Sequence, residues 1–334
     1  MKKKSVVIVG GGTGTHTVLR GLKQYTDRID LTAIVSMADS GGSTGRLRDE
    51  FGQLPAGDVR NALTALAADN DIHDTLLREL FMYRFAKGEG LLGHNFGNLF
   101  LTVLTDILGS EIEAIEAASR ILRVEGQVVP VTTDSAHLVA TYANGVVITG
   151  EHDIDELYDD SLRTVRITKL ALTPRASLNP SVTSVLKEAD LVVLGPGDLY
   201  TSVLANCVVD GFKEALQASS AKIVYVCNLM SKPGQTVGMH TSEHLAEVAK
   251  YAGVCPQHLL INTQPLPANL LEKYSAEGTL PVVNNFASNQ ITTVHACPLL
   301  AEEIIETVKG DTLLRSLIRH DSNLLAKALM RFIK

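Results

Sequence analysis

Residues 5–17 read SVVIVGGGTGTHT, and this stretch decides the fold of the 334-residue chain. Its first residues, Ser5–Val9, are rich in Val and Ile and predict a buried parallel strand. A glycine turn and a helical apolar pattern follow, which together present backbone N–H groups and a helix dipole to an anion. The stretch therefore predicts phosphate or nucleotide binding, rather than a turn that only packs the strand against the helix. The predicted contacts are Gly11, Gly12, Thr13, Gly14 and Thr15.

The glycine spacing differs from that of both common nucleotide-binding motifs. Gly10 and Gly12 begin a G-x-G-x-x-G pattern, but Thr15 stands where the third glycine is due and Gly14 comes one residue early. No Gly-Lys-Ser/Thr triplet follows, so the stretch is not a P-loop. NAD binding in the usual Rossmann manner is therefore only weakly indicated.

Composition and charge argue against several classes of protein. The hydrophobic content of 45% and the charged content of 20% are those of a globular protein, and the length allows one large α/β domain or two smaller ones. A net charge of −7, with no basic cluster beyond Lys2–Lys4, argues against a nucleic-acid partner. No apolar run is long enough for membrane insertion. The four cysteines form no C-x-x-C pair, which is typical of reduced thiols in a cytoplasmic protein.

A second polar loop follows the next predicted strand, Asp30–Ala38. It reads DSGGSTGRLR over residues 39–48, so it offers a carboxylate, hydroxyls, bare glycine backbone and two arginines. Dinucleotide-binding folds place their ribose contact at the tip of the second strand, and arginines beside hydroxyls suit an oxyanion. The alternative is a flexible surface loop with solvated arginines. The candidate ligand contacts here are Asp39, Ser40 and Gly41.

Two helix starts carry further polar candidates. Asp58 stands where an N-cap belongs, and Asn61 in the following turn can still reach a ligand. Asn95 and Asn98 precede an apolar helix, where they either cap the helix or hydrogen-bond a base or sugar. A carboxylate beside a pyrophosphate needs a metal ion or hydrogen-bond donors to offset the repulsion, so Asp58 is the candidate for binding Mg²⁺.

The strand–turn–helix unit recurs twice in the second half of the chain. The apolar strand Asp190–Leu194 runs into GPGDLYTS over residues 195–202, and Lys222–Cys227 runs into a loop that begins at Asn228. A turn of this kind has the same physical basis for phosphate binding as the first one. The candidate contacts are Gly195, Gly197, Asp198, Tyr200, Thr201 and Asn228.

Between these units, from about residue 123 to residue 172, the pattern changes to an alternation typical of antiparallel strands. Gln127–Thr132 is the first of these predicted strands, and Asn144-Gly145 indicates a hairpin turn. The acidic segment Glu151–Asp160 is interpreted as a solvated connection. This β-rich insertion is a candidate lid over the site, and also a candidate surface for self-association into a homo-oligomer.

The pattern as a whole predicts one α/β domain over residues 1–334. It is a Rossmann-like, three-layer αβα fold with a mainly parallel sheet and the β-rich insertion as an added subdomain. Two helices, at about 298–309 and 312–333, close the chain. The polar turns follow parallel strands, so we expect several of them to converge on the carboxyl edge of the sheet, where open α/β sheets bind ligands.

One metal-site pattern was weighed against this interpretation. Residues 240–244 read HTSEH, the H-x-x-E-H spacing in which two histidines of one helix bind zinc. Thr241-Ser242 has the character of a helix cap, so His240 would lie outside the helix, and no third ligand is evident at a sensible spacing. A serine hydrolase has no support either, because no G-x-S-x-G elbow occurs.

Six motifs, in one order along nearly the whole chain, resemble those of a known family. They read GGGTGTHTVLRGL, ADSGGSTGRLR, PAGDVRNAL, GHNFGNL, ADLVVLGPGDLYTSV and NLMSKPGQTVG. The sequence resembles the bacterial gluconeogenesis factor family of CofD-like proteins, which is related to 2-phospho-L-lactate transferase. The resemblance implies a Rossmann-like three-layer fold with an added subdomain.

The resemblance also implies a ligand and a role. In the gluconeogenesis-factor branch the ligand is a nucleotide-sugar, UDP-N-acetylglucosamine, and the role is support of cell-wall synthesis and cell shape during growth on gluconeogenic carbon sources. The transferase branch moves a phospholactyl group from a guanosine-activated donor to a deazaflavin, with Mg²⁺. Asp39-Ser40 stands where the family commonly has two acidic residues, which weakens a two-carboxylate metal site in this chain. Ala56 stands where a second proline is usual, which is a minor change.

Two functions therefore stay open, a nucleotide-sugar-binding regulatory protein and a transferase with a nucleotide-activated donor. Phosphate loops serve both, because holding a pyrophosphate is binding in one case and leaving-group stabilisation in the other. A transferase also needs a general base or metal-holding carboxylate and an acceptor pocket, and an aromatic content of 5% offers little to stack a flat acceptor on. The binding protein is favoured, and no catalytic residue is assigned.

Overall fold

The computed structural model describes residues 2–302 and 317–333. The strands are β1 (Lys4–Gly10), β2 (Ile29–Val35), β3 (Gln127–Pro130), β4 (His137–Tyr142), β5 (Val147–Thr149), β6 (Ile167–Thr173), β7 (Leu191–Leu194), β8 (Lys222–Val226), β9 (His258–Asn262) and β10 (Thr293–Cys297). The helices are α1 (Gly12–Leu22), α2 (Gly42–Phe51), α3 (Gly57–Leu66), α4 (Ile72–Met82), α5 (Phe96–Leu108), α6 (Glu111–Ile121), α7 (Glu151–Asp155), α8 (Pro180–Glu188), α9 (Ala205–Cys207), α10 (Phe212–Gln217), α11 (Thr241–Ala252), α12 (Ala268–Ala276) and α13 (Ser322–Leu329). A π-helical turn covers Leu199–Leu204.

The core of the molecule is a seven-stranded sheet in the order β10-β9-β8-β7-β1-β2-β3. Every pairing in it is parallel, and helices flank it, which confirms the predicted α/β class. The central strands are apolar over most of their length because both faces of a parallel sheet are covered by helices. Val6–Val9 of β1 and all of β7 are accordingly buried.

The strand order reverses between β1 and β7. From β1 the chain proceeds to β2 and β3 on one side, whereas β7 leads to β8, β9 and β10 on the other. Right-handed crossovers that run in opposite directions along a sheet place their helices on opposite faces of that sheet. The helices of this protein form two groups, as expected for two covered faces. In one group α1 contacts α3 and α13, and in the other α10 contacts α8 and α11. The ends of β1 and β7 therefore lie side by side with a crevice beyond them.

The insertion is smaller than the sequence predicted. Gln127–Thr132 was expected to be its first antiparallel strand, but β3 pairs in parallel with β2 and is the outer strand of the main sheet. An alternating apolar pattern does not separate an edge strand of the main sheet from a strand of an insertion. The insertion proper is the antiparallel sheet β5-β4-β6, in which Asn144-Gly145 joins β4 to β5 as predicted.

The end of the chain is only partly described. Of the two helices expected at about 298–309 and 312–333, residues 303–309 and 312–316 lie outside the described residues. Residues 298–302 and 317–321 are described and are not helical, so the second prediction is represented by α13. No helix in the described ranges combines the length and the apolar character needed to cross a membrane.

Candidate functional site

A cleft of about 1230 Å³ opens at the carboxyl edge of the main sheet, beside the ends of β1, β7 and β8. The loops after these strands line it, together with residues of α3, α4 and the chain around the start of α13. An open α/β sheet binds its ligands at this position, where the strand order reverses. The predicted contacts that line the cleft are Gly11, Gly12, Thr13, Gly14, Gly197, Asp198 and Asn228.

The glycine turn after β1 is packed too tightly for side chains. Gly12 has a φ of +62°, which favours glycine. A Cβ on Gly14 would overlap the carbonyl oxygen of Pro196, and a Cβ on Gly11 would overlap the carboxylate of Asp58. The turn therefore lies directly against the loop that follows β7. Thr15 is buried against Gly10 and does not line the cleft.

Asp58 is joined to this turn. Its Oδ1 accepts a hydrogen bond of 2.6 Å from the N–H of Gly12, in the first turn of α1. The expectation that Asp58 is the N-cap of its own helix is wrong, because α3 begins at Gly57 with Ala56 as its N-cap. The Asp58 carboxylate thus satisfies one of the free N–H groups at the start of α1 instead.

The environment of Asp58 favours its neutral form. Burial of the carboxyl group and the nearby charge of Asp39 raise the pKa of Asp58 to about 7, although the Gly12 hydrogen bond and Arg60 oppose the shift. A carboxyl group with this pKa is part protonated at neutral pH. The glycine turn is therefore bordered by a group that can change its charge near physiological pH.

A second carboxyl group comes from the insertion. Burial and the charges of Asp39, Asp155 and Asp58 raise the pKa of Glu151 well above its ordinary value. Interpreting the segment Glu151–Asp160 as a solvated connection is therefore wrong for its first part, which forms α7. An acidic composition by itself indicates solvent exposure. It does not reveal that α7 packs near the carboxyl groups of Asp39 and Asp58.

Lys232 connects three parts of the site. Its ammonium group donates hydrogen bonds to Asp155 of α7 and, at 2.6 Å, to Oδ2 of Asp198 in the loop after β7. Asp155 also accepts from the Thr201 hydroxyl and the Gln235 amide, each at 3.2 Å. The two aspartates raise the pKa of Lys232 and keep it charged. Lys232 lines the cleft, so it contributes a fixed positive charge to this wall.

Lys232, Asp155 and Glu151 are not among the site residues predicted from the sequence. Lys232 could have been found, because it stands in a polar loop at the carboxyl end of β8, within the quoted motif NLMSKPGQTVG. Asp155 gave no such signal, because it reaches the cleft only through the packing of the insertion. The same packing places Glu151 near Asp155, outside the cleft lining.

The remaining candidates near β7 and β8 hold the loops in place. Asn228 donates 2.7 Å from Nδ2 to the carbonyl oxygen of Gly197, and it accepts from the hydroxyl of Tyr225. Tyr200 is buried away from the cleft, where its hydroxyl donates to the Ile167 carbonyl and to Glu247. Its side chain thus attaches the π-helical turn to the insertion.

Three other asparagine candidates, Asn61, Asn95 and Asn98, lie apart from the cleft lining. Asn95 caps α5 by accepting from the N–H of Asn98, and its Nδ2 donates to the Met82 carbonyl. The side chain of Asn98 donates to the Thr44 hydroxyl, and that of Asn61 accepts from Arg60. Of the two uses that the sequence left open, the structure shows the helix cap at Asn95, and ligand contacts by Asn95 and Asn98 stay predictions.

Four candidates of the polar loops also make intramolecular hydrogen bonds. The N–H of Gly41 donates to Oδ1 of Asp39, and the hydroxyl of Ser40 accepts from the backbone of His152, which fastens the second loop to α7. Gly195 continues from β7 and donates its N–H to the Val9 carbonyl. These residues do not line the cleft, and their contacts hold the loops around it in position.

The candidate metal-binding side chains in the described structure do not form a preformed coordination site. Among residues 2–302 and 317–333, no group of three or more His, Cys, Asp or Glu side chains is arranged to hold a metal ion. In the HTSEH segment, His240 is the N-cap residue of α11, outside the helix, and His244 is buried with Nδ1 3.3 Å from the Tyr225 hydroxyl. Asp39 and Asp58 are near one another, an arrangement that suits Mg²⁺ if the ligand's phosphates complete its coordination.

The fold and the cleft define the class of protein. It is a Rossmann-like α/β protein whose ligand cleft is formed by glycine loops at the reversal of the strand order, with an antiparallel insertion at its rim. Residues 6–302 match the family described as 2-phospho-L-lactate transferase CofD. The chain belongs to this CofD family.

Similar proteins cover almost the whole chain. A Thermotoga maritima protein is 41% identical over 326 residues, or 98% of each chain. The gluconeogenesis factor of Bacillus subtilis is 37% identical over 335 residues, covering 100% of this chain and 99% of its own length. The crystal structure of a UPF0052 family member from Bacillus halodurans has a TM-score of 0.86 at 35% identity, covering 99% of both chains. The resemblance to gluconeogenesis factors is thereby confirmed.

The contact between the two glycine loops is testable by substitution. We expect Gly14→Ala to lower the free energy of unfolding by about 1–3 kcal/mol, because its Cβ must displace the Pro196 carbonyl. Gly90→Ala is the control, because a Cβ there meets no atom within 4 Å and its φ is not left-handed. Urea unfolding followed by circular dichroism measures both. Equal stability of the two variants would contradict the close packing.

Proposed function

We propose that the protein binds a nucleotide-sugar of the UDP-N-acetylglucosamine type in this cleft. The observation that carries the proposal is the convergence of the glycine turn after β1 with the loop after β7, at the start of α1. A helix start beside glycine loops is a common binding site for pyrophosphate. By its similarity to gluconeogenesis factors, we further propose a cytoplasmic, regulatory role that supports cell-wall synthesis and cell shape on gluconeogenic carbon sources.

The pyrophosphate would lie against the first turn of α1. The N–H of Gly12 is engaged by Asp58, so the N–H groups of Thr13 and Gly14 and the hydroxyl of Thr13 are the donors that we assign to phosphate oxygens. Lys232 lies on the wall formed by the loop after β8 and adds a positive charge. The base and sugar would occupy the rest of the cleft, which extends toward α4 and the start of α13.

Negative charge is the main obstacle to this binding. Asp58 lies beside the turn, and Lys232 already serves Asp155 and Asp198. A second anion is accommodated only if a carboxyl group takes up a proton or a cation joins the ligand. Asp58 suits the first solution because its pKa is about 7.

A transferase of the 2-phospho-L-lactate type is the second candidate, supported by the family match and by the proximity of Asp39 to Asp58. These two residues would hold Mg²⁺, which when bound supplies positive charge to the phosphates of a nucleotide-activated donor. The protein's part is to orient the donor on the glycine turn and to exclude water beneath α7. Residue 40 is Ser, so only one carboxylate comes from the tip of β2.

Calorimetric titration with UDP-N-acetylglucosamine, GDP and NAD, each with and without Mg²⁺, tests the ligand. We expect the UDP-sugar to bind without Mg²⁺ and more tightly than GDP or NAD. Uridine is the control, because it lacks the phosphates that the glycine turn would hold. Tight Mg²⁺-dependent binding of GDP with no heat from the UDP-sugar would replace the first proposal by the transferase.

The pH dependence of binding tests the role of Asp58. Anion binding favours the protonated carboxyl group and raises its pKa further, so we expect UDP-N-acetylglucosamine affinity to rise as pH falls toward about 7 and to level off below it, by at most about tenfold per pH unit. Asp58→Asn keeps an acceptor for the Gly12 N–H and should abolish this dependence. Asp106→Asn, at an exposed site on α5, should retain it. Affinity that falls at low pH in the presence of Mg²⁺ would instead indicate metal binding by ionised Asp58.

A further inference from the structure

A chain of hydrogen bonds runs behind the cleft, from a buried histidine to the loop that follows β7. Nδ1 of His244, on α11, lies 3.3 Å from the hydroxyl oxygen of Tyr225 on β8. That hydroxyl donates to Oδ1 of Asn228 at 3.2 Å, and Nδ2 of Asn228 donates to the Gly197 carbonyl oxygen at 2.7 Å. His244 and Tyr225 are completely buried, whereas Asn228 and Gly197 line the cleft. We call these four residues the His244 relay.

The direction of each hydrogen bond in the relay is set by the end nearest the cleft. Because the amide nitrogen of Asn228 donates to Gly197, its amide oxygen faces Tyr225 and can only accept. The single proton of the Tyr225 hydroxyl is therefore given to Asn228, so Nδ1 of His244 must be the donor to Tyr225. Burial lowers the pKa of His244 to about 4, so its ring is neutral at physiological pH. A neutral ring with its proton on Nδ1 has an unprotonated Nε2.

This unprotonated Nε2 makes the histidine unfavourable for folding. It is buried, and it has no hydrogen-bond partner among residues 2–302 and 317–333. Burying a polar atom without a partner costs free energy, whereas an apolar side chain of similar size avoids that cost. Stability alone therefore does not account for an imidazole at position 244. What the ring contributes is the hydrogen bond from its Nδ1.

The relay ends on the peptide group between Gly197 and Asp198. This peptide is trans, so the N–H of Asp198 points away from the carbonyl that Asn228 holds. No residue in the described ranges accepts a hydrogen bond from that N–H. Gly197 also packs against the turn after β1, since a Cβ on Gly14 would lie 2.9 Å from its Cα. A rotation of this peptide would therefore change the wall of the cleft beside the start of α1.

We propose that His244 is a positioning residue of the phosphate site. Through the relay, its Nδ1–H keeps the N–H of Asp198 directed at a ligand phosphate. The inference rests on the proposed function, because it needs a phosphate between the two glycine loops. It adds a donor from the loop after β7 to the donors of α1, so the pyrophosphate is held from both sides. The Asp198 carboxylate is bonded to Lys232, which reduces its repulsion of the phosphate.

Calorimetric titration of UDP-N-acetylglucosamine into variants of the relay tests the proposal. We expect His244→Leu to bind about three- to tenfold more weakly than the unmodified chain, the effect of one hydrogen bond. Its melting temperature should be equal or higher, because leucine buries no unpartnered polar atom. His244→Asn keeps a donor at the position of Nδ1 and should recover most of the affinity. A residue with only a structural role would instead lower affinity and melting temperature together in His244→Leu.

Tyr225→Phe is a second variant, which does not depend on how α11 tolerates leucine. It removes the middle of the relay, so we expect a similar loss of affinity. The two substitutions combined should cost no more affinity than either alone, because they interrupt the same relay. Tyr142→Phe is the matched control, because Tyr142 is also buried and its hydroxyl has no partner in the described part of the chain. It should bind the UDP-sugar as tightly as the unmodified chain.

The tautomer of His244 is measurable without a ligand. Nitrogen NMR spectroscopy near neutral pH should show the ring protonated on Nδ1 and not on Nε2, and the opposite tautomer would overturn the relay. So would unchanged affinity in folded His244→Leu or Tyr225→Phe, a folded His244→Asn that recovers none of the affinity, or weaker binding by Tyr142→Phe. An unmodified chain that binds none of UDP-N-acetylglucosamine, UDP and inorganic pyrophosphate would refute the proposed function and this inference with it.

Discussion

The site depends on one steric constraint, the contact between the turn after β1 and the loop after β7. The two strands are neighbours because the strand order reverses between them, and Gly14 has no side chain to separate the turn from Pro196. This contact fixes the start of α1 beside the loop that carries Gly197 and Asp198. The cleft, its free N–H groups and the direction of the helix dipole all follow from that placement.

Electrostatics then determine what the cleft accepts. The same helix start that attracts an anion is already bonded to Asp58, and the neighbouring positive charge, Lys232, is shared by two aspartates from different parts of the chain. The insertion contributes one of these aspartates through α7, so it is part of the candidate site. For the proposed ligand, a carboxyl group with a pKa near 7 would allow the cleft to accept a phosphate by taking up a proton, and an adjacent second carboxylate would allow it to use Mg²⁺ instead.

Local patterns predicted the parallel strands, the glycine turns and the hairpin at Asn144-Gly145, because each depends on residues close together in sequence. The partners of the charged groups could not be predicted in this way. Asp58 bonds a residue 46 positions away, and Lys232 bonds aspartates 34 and 77 positions away. The mistaken N-cap role of Asp58 and the mistaken solvated segment at Glu151 have this common cause: composition does not reveal which distant groups pack together. Asn95 was ambiguous for a different reason, since the same residue type serves as a helix cap and as a ligand contact.

Amide hydrogen exchange with and without UDP-N-acetylglucosamine tests the central claim, that the two glycine loops together form the phosphate site. The account predicts slower exchange in two separate segments, residues 11–17 and 195–203, on addition of the ligand. Uridine, which lacks phosphate, should leave both segments unchanged. Ligand binding that slows exchange in only one of the two segments, or in neither, would contradict the account.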